Sequence, residues 1–239
     1  MSLYRDEGVV LRTWKLGEAD RIVVLCTRGR GKVRAVAKGV RKTKSKFGSR
    51  LEPTSHVALQ LYEGRELDIV TQAETIDNLA PLRDDLDRLT RATVLLEAVD
   101  AMAQERHTDA HLYTMLVGAL RTLAARDHPL VVPAFFLKLL AHEGFQPRVD
   151  CCAVCEDEEV PLVAFDVDEG GLLCRDHRRG VAVTEPAVQL LRLVLGGRLG
   201  EALNAPADGT THEVETLATR ALEHHLERRL RAVLLLPHT

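Results

Sequence analysis

The hydrophobic period of this chain changes once, near residue 80, and that change limits the folds open to it more than any other feature. Before it, short runs rich in β-branched residues follow one another: 8–14, 21–26, 32–37, 56–62 and 67–72. Gly- or Ser-bearing turns separate them, as between strands. Alternation is clearest at Lys32-Val33-Arg34-Ala35-Val36, where Val33 and Ala35 face inward and Lys32 and Arg34 face water. Five strands with no helical stretch to supply crossovers predict a small closed or nearly closed barrel, OB-like or SH3-like.

From Pro81 the period becomes helical. Leu82, Leu86, Leu89, Leu96 and Ala103 repeat at threes, fours and sevens, followed by Leu112, Leu116, Leu120 and Leu123 behind Thr108-Asp109. A third helix is expected over 134–143, closed by Gly144. Thr184 caps a fourth, and Thr210-Thr-His-Glu213 reads as the capping box of a last helix with a stripe at Val214, Leu217, Leu222, Leu226 and Leu230. The expected architecture is α+β: a barrel over 1–80, then a helical domain over 81–239 carrying an inserted module at about 148–180.

That insertion holds four of the five cysteines. Cys152-Ala-Val-Cys155 is followed, after 18 intervening residues, by Cys174-Arg-Asp-His177. Two such knuckles bring four soft ligands together and complete a tetrahedron around Zn²⁺, a closed structural site with no position for a reactive water. Cys151 replaces Cys152 if the first turn is one residue wider, although spacing favours Cys152. Cys26 lies in an apolar run and reads as a small buried hydrophobe. A calcium loop at Asp166–Gly171 lacks its ligands, and His107 and His111 lack the glutamate of a zinc-protease helix. No phosphate-binding glycine loop or nucleophile elbow is present, so no catalytic residue is assigned and no enzyme is expected.

The net charge of −3 hides an asymmetry. Residues 1–80 carry 15 Lys or Arg against 10 Asp or Glu, and the remainder 17 against 25. Ten cations crowd one segment with no acid between them: Arg28, Arg30, Lys32, Arg34, Lys38, Arg41, Lys42, Lys44, Lys46 and Arg50. A solvated surface is the ordinary explanation of a charge run. At this density, however, the cations repel one another unless a polyanion neutralises them, so the segment is expected to bind nucleic-acid phosphates with little sequence preference. Tyr4, Trp14, Phe47 and Tyr62 are the candidates for base stacking, and Phe47, between Lys46 and Gly48, is the first choice. The start, Met1-Ser-Leu-Tyr-Arg-Asp-Glu, lacks a secretory apolar core, and with clustered cysteines it points to the cytosol.

Several pieces, in order, carry a likeness to a known family: Gly8-Val-Val-Leu, Ala37-Lys-Gly39-Val-Arg41, Lys44-Ser45-Lys46, Leu51-Glu-Pro53, Phe136-Leu-Lys-Leu-Leu140-Ala-His-Glu-Gly-Phe-Gln-Pro147 and Leu222-Glu-His-His-Leu226. Across nearly its whole length the chain resembles the RecO recombination mediators of bacteria. The resemblance implies an N-terminal OB-fold, a helical domain and a zinc module. It further implies binding of single- and double-stranded DNA, annealing, partnership with RecR, and help in loading RecA onto strands coated by single-stranded-DNA-binding protein. That coating protein's C-terminal tail docks on the helical domain in such proteins, where Lys138 and Leu139 are the conjectured contacts. A fourth ligand His177, where a second CxxC is common, is a departure. The competing expectation is a zinc-ribbon RNA-binding or transcription factor reading through Arg175, Arg178 and Arg179.

Overall fold

The computed structural model describes residues 2–77 and 79–236. Its first five strands are β1 (Leu3–Leu16), β2 (Asp20–Thr27), β3 (Gly31–Ala37), β4 (His56–Tyr62) and β5 (Asp68–Asp77). They close into a barrel of order β1-β2-β3-β5-β4, with β1 pairing again to β4 and β3 to β5 in parallel. This is the OB-fold. Inward positions at every second residue, among them Val10, Val23, Leu25, Val33, Ala35, Val57, Leu59 and Leu61, fill it with one apolar cluster. A bulge between Val10 and Arg12 lets the long β1 bend from one pairing to the other.

Strand β2 is buried on both faces. Its outward Val24 and Cys26 are each 1% exposed, because helices α2 (Leu86–Met102) and α3 (Ala110–Ala125) pack on β1 and β2. Burial pushes the Cys26 thiol up to about 12, in keeping with a packing role. At the β2–β3 turn Gly31 has φ +65°, and a Cβ there would lie 1.7 Å from the His107 carbonyl oxygen. Only glycine lets the chain pass so close.

The continuous helix expected from Pro81 is two helices, α1 (Pro81–Asp84) and α2. Asp85 is extended and its carboxylate accepts the Arg88 N–H at 2.9 Å, so the chain restarts there, and Leu86 is exposed instead of lying on the buried stripe. Helix α3 follows the sequence pattern, capped by Asp109 through the Leu112 N–H. Compactness follows a different boundary from the change of period. Met1–Arg126 forms one unit, including α1–α3, and Asp127–Thr239 the other.

In the second unit, α4 (Val131–His142) is buried nearly all round and packs against α5 (Glu185–Leu195) and α7 (Gly209–His225), with the short α6 (Leu199–Ala202) beside α5. A three-stranded sheet, β6 (Leu162–Asp166), β7 (Gly171–Cys174) and β8 (Val181–Ala182), has the order β7-β6-β8. A 3-10 turn at Ala232–Leu235 ends the described chain. The capping box of α7 starts two residues earlier than expected: Asp208 accepts the Thr210 and Thr211 N–H groups, while the Thr211 hydroxyl accepts the Asp208 N–H. Glu213 instead accepts the N–H and hydroxyl of Thr184 at 2.6 and 2.7 Å. The Thr184 side chain therefore ties α5 to α7 and does not cap its own helix. Among the described residues no helix is long and apolar enough to cross a membrane.

Candidate nucleic-acid interface and metal centre

The ten cations of the basic segment meet two fates. The first four lie on the β2–β3 turn and on β3, and each is matched by an acid from elsewhere in its unit. Arg28 is 3.6 Å from Glu7, Arg30 3.1 Å from Glu63, Lys32 3.7 Å from Asp100 and Arg34 3.7 Å from Glu105. Lys32 also donates to the Asp100 carbonyl at 2.7 Å and has only 15% of its side chain exposed. Arg30 stacks over the Tyr4 ring at 3.8 Å. Lys32 therefore does not face water as the alternation suggested; α2 and the chain after it lie over that face. On the surface of strands two and three, which OB barrels commonly offer to oligonucleotides, Lys32 is covered here, while Arg28, Arg30 and Arg34 stay partly exposed but ion-paired.

The other six lie on the β3–β4 loop. Lys38, Lys42, Lys44 and Lys46 are exposed. No side-chain bond or ion pair reaches Lys38, Lys42 or Lys44 among the described residues, and Lys46 touches only the Phe47 ring, at 5.1 Å. Arg41 and Arg50 donate to carbonyls and not to carboxylates, Arg41 to Glu18 at 2.8 Å and Arg50 to Lys46 at 3.1 Å. The loop is fixed at several points. Gly39 donates to Asp20 at 2.7 Å, the Arg41 N–H to Ala19 at 3.0 Å, and Arg21 pairs with Glu52 at 2.5 Å. Thr54, fully buried at φ +71°, donates to the Val10 carbonyl at 3.1 Å. A β-branched residue stays in that region only where its surroundings hold it there.

Phe47 corrects an expectation. It is 1% exposed and belongs to the barrel core together with Leu51, so its ring cannot stack on a base. A large apolar ring gains about 1.5–3 kcal/mol on leaving water, and a loop that can turn it inward does so. Its work is to pin the loop. Leu139 is corrected in the same way: it is fully buried on α4 and cannot receive a partner.

A second network fastens the start of β4. Buried His56 lies 3.3 Å from Asp77 through Nδ1 and 2.7 Å from the Tyr113 hydroxyl through Nε2, and Arg121 donates to Asp77 at 2.6 Å. Desolvation holds the His56 pKa below its usual value despite the adjacent Asp77. Desolvation also pushes Tyr113 up to about 12, with Glu7 adding to the shift.

In the second unit Cys152, Cys155, Cys174 and His177 converge, their ligand atoms all within 4.8 Å of one another. Cys155 and Cys174 sulfurs are 4.0 Å apart, and His177 Nδ1 is 3.3 Å from Cys174 and 3.8 Å from Cys152. Ligands at about 2.0–2.3 Å from one tetrahedral ion are separated by roughly 3.5–4 Å, so the spacing fits. The Cys174 N–H donates to the Cys152 sulfur at 3.4 Å. Burial opposes a thiolate at Cys152, but backbone N–H groups of Cys155, Cys174 and Val154 prevail and bring its pKa to about 6. Cys155 moves the other way: the Asp157 N–H lowers it, yet desolvation and its neighbouring thiols win. Sulfurs this close share protons as a group. The cluster could hold a metal ion, and Cys151 is not part of it. Of the three arginines of the alternative reading, Arg179 is half-exposed and paired with Glu169.

Residues 1–79 match the family model described as Recombination protein O N terminal, and residues 83–233 the one described as Recombination protein O C terminal. The chain belongs to the RecO family. It is 46% identical over 239 residues to the DNA repair protein RecO of a Nocardioides species, covering 97% of this chain and 98% of that relative. To the DNA repair protein RecO of Frankia casuarinae it is also 46% identical over 239 residues, covering 98% of each. To that of Bifidobacterium adolescentis it is 43% identical over 245 residues, covering 99% and 100%. DNA repair and recombination is therefore its role. No local signal marked the carboxylates that neutralise β3 in this RecO chain. Glu7, Glu63, Asp100 and Glu105 lie some 20 to 70 positions from their partners, outside any charge window.

Proposed function

We propose that the chain is a non-enzymatic recombination mediator that binds single- and double-stranded DNA, anneals complementary strands and, with RecR, helps load RecA onto strands coated by single-stranded-DNA-binding protein. The observation that carries this reading is the set of free ammonium groups at Lys38, Lys42, Lys44 and Lys46 on a loop pinned by Phe47 and Leu51. A fixed row of cations meets successive phosphates without losing loop entropy, and backbone contact is indifferent to sequence, as annealing requires. Arg41, between Lys38 and Lys42, and Arg50, beyond Lys46, add to these cations.

Three thiolates and an imidazole are a donor set suited to Zn²⁺, and Cys152, Cys155, Cys174 and His177 would hold it as a structural ion. One equivalent is expected by metal analysis of protein made without added metal. The absence of a catalytic constellation in the sequence supports a mediator, and the family's role in DNA repair supports a cytoplasmic, nucleoid-associated location. The tail of the single-stranded-DNA-binding protein is read as a partner of the helical unit.

The test is annealing of complementary strands pre-coated with single-stranded-DNA-binding protein. The unaltered chain should anneal them, and the variant with Lys42, Lys44 and Lys46 changed to Glu should not. A variant that anneals as well as the parent removes the loop from the reading. A parent that binds neither bare nor coated strands removes the reading itself.

A further inference from the structure

We infer that Arg192 on α5 is the positioning residue of the metal centre. The inference rests on the metal reading of Cys152, Cys155, Cys174 and His177, and it concerns what keeps the first knuckle in place. Arg192 Nε donates to the Val149 carbonyl at 2.9 Å and its Nη2 to the Asp150 carbonyl at 3.4 Å. The Asp150 carboxylate lies 3.7 Å away, but it is exposed and contributes little. Val149 and Asp150 directly precede Cys151-Cys152, so this one guanidinium sets the direction from which the chain enters its ligand turn.

On either side of that pair the backbone is held by other means. Arg148 donates to the Gly170 carbonyl at 3.0 Å and accepts the Leu172 N–H at 2.8 Å, and Ala153 donates to the Leu172 carbonyl at 2.8 Å. The approach is so close that a Cβ on Gly171 would stand 2.5 Å from the Arg148 oxygen. Within the turn, Cys152 donates to Asp157 at 3.0 Å and accepts from Glu156 at 2.9 Å. The ladder thus fixes Arg148 and Ala153 against the β6–β7 hairpin, which carries Cys174. Between them, the carbonyls of Val149 and Asp150 depend on Arg192. Its planar fork meets two consecutive carbonyls, which a lysine ammonium cannot do with the same geometry.

Hydrogen bonds made directly to metal ligands typically change metal affinity by about 10–100-fold when removed, and a bond to the backbone just before a ligand is expected at the low end of that range. Arginine in the last turn of α5 also complements the helix dipole, an effect that stabilises the chain equally with and without an ion. The two roles separate by experiment.

The full-length chain, Arg192→Met and Arg192→Lys are each loaded with Zn²⁺ alone. Release to a chromogenic chelator is then timed well below the melting temperature, and melting is compared for loaded and metal-free forms. Positioning by Arg192 predicts release about ten-fold faster in Arg192→Met, an intermediate rate in Arg192→Lys, and a smaller rise in melting temperature on loading. Equal release rates overturn the inference and leave the metal site standing, as does an equal loss of stability in loaded and metal-free forms with release unchanged. If Arg192→Met does not fold, the lysine variant decides alone, and release at the parental rate overturns the inference. A parent chain that takes up no Zn²⁺ overturns both the site and its brace.

Discussion

The two parts of the basic segment are both rich in cations and free of acidic residues, yet their environments are opposite. Arg28 to Arg34 lie along a turn and strand where Glu7, Glu63, Asp100 and Glu105 come to meet them. Lys38 to Arg50 lie on a loop whose cations meet no acid in an ion pair among the described residues, and whose Phe47 and Leu51 belong to the barrel core. Charge density along a sequence is therefore not charge available to a ligand. A strand is a place where other elements pack, and packing brings counter-charges; a loop at a barrel end is covered only if something is built to cover it. The strand half is a structural seam and the loop half the exposed remainder.

The largest effect expected is on stability, from the residue that holds the loop half in place. Phe47→Ala removes a buried ring and should cost about 3–5 kcal/mol, read by denaturant unfolding. A loss under about 1 kcal/mol would show that the loop is not pinned and that the contrast between the halves is one of charge alone.

Next comes binding. Changing Lys42, Lys44 and Lys46 to Glu should lower affinity for single-stranded DNA about 100-fold at low salt and flatten the slope of log affinity against log salt by about 2, since three phosphate contacts are lost. Changing Arg28 and Arg34 to Gln should leave that slope nearly intact. If the two variants flatten it equally, the division of the segment fails.

A smaller effect is tied to His56, which anchors the strand leaving the loop. Its pKa is lowered in the fold, so at pH just below 6.5 the unfolded chain takes up a proton that the folded chain refuses. The stability from neutral His56 is whole above the unfolded pKa and declines as pH falls through it. Melting temperature measured from pH 8 to 5 should drop for the parent and drop less for His56→Gln, referenced to each protein's value at pH 8. Parallel curves would place the acid sensitivity elsewhere.

Smallest is the seam itself, one pair at a time. Arg34 and Glu105 are both substantially exposed at 3.7 Å, and Glu105→Gln should change stability by no more than about 0.5 kcal/mol. A rise in DNA affinity in this variant would mean that Arg34, once released, joins the binding surface, and would sharpen the boundary between the halves.

The strands were legible because side chains on a barrel alternate between core and surface, and that alternation is local: the span 56–62 is strand β4 as expected. The metal cluster was legible for a similar reason, since two turns of fixed length present their ligands in pairs, and Cys152, Cys155, Cys174 and His177 meet as the spacing requires. The break at Asp85 was harder, because one capping carboxylate competes with a hydrophobic repeat that runs through it. The α7 cap moved for a comparable reason: Glu213 satisfies Thr184 on another helix, so Asp208 takes its place.

Sequence alone thus determined the element types, the order of barrel before helices, the four residues of the candidate metal cluster and the segment that carries the charge. All of these depend on residues close together in the chain. Tertiary structure alone decided which cations remain free, that Phe47 faces the core, that helices cover the outer face of β2 and Lys32 on β3, and that Arg192 meets the first knuckle. Each of those depends on a contact between residues far apart in sequence, and no local pattern encodes the partner's arrival.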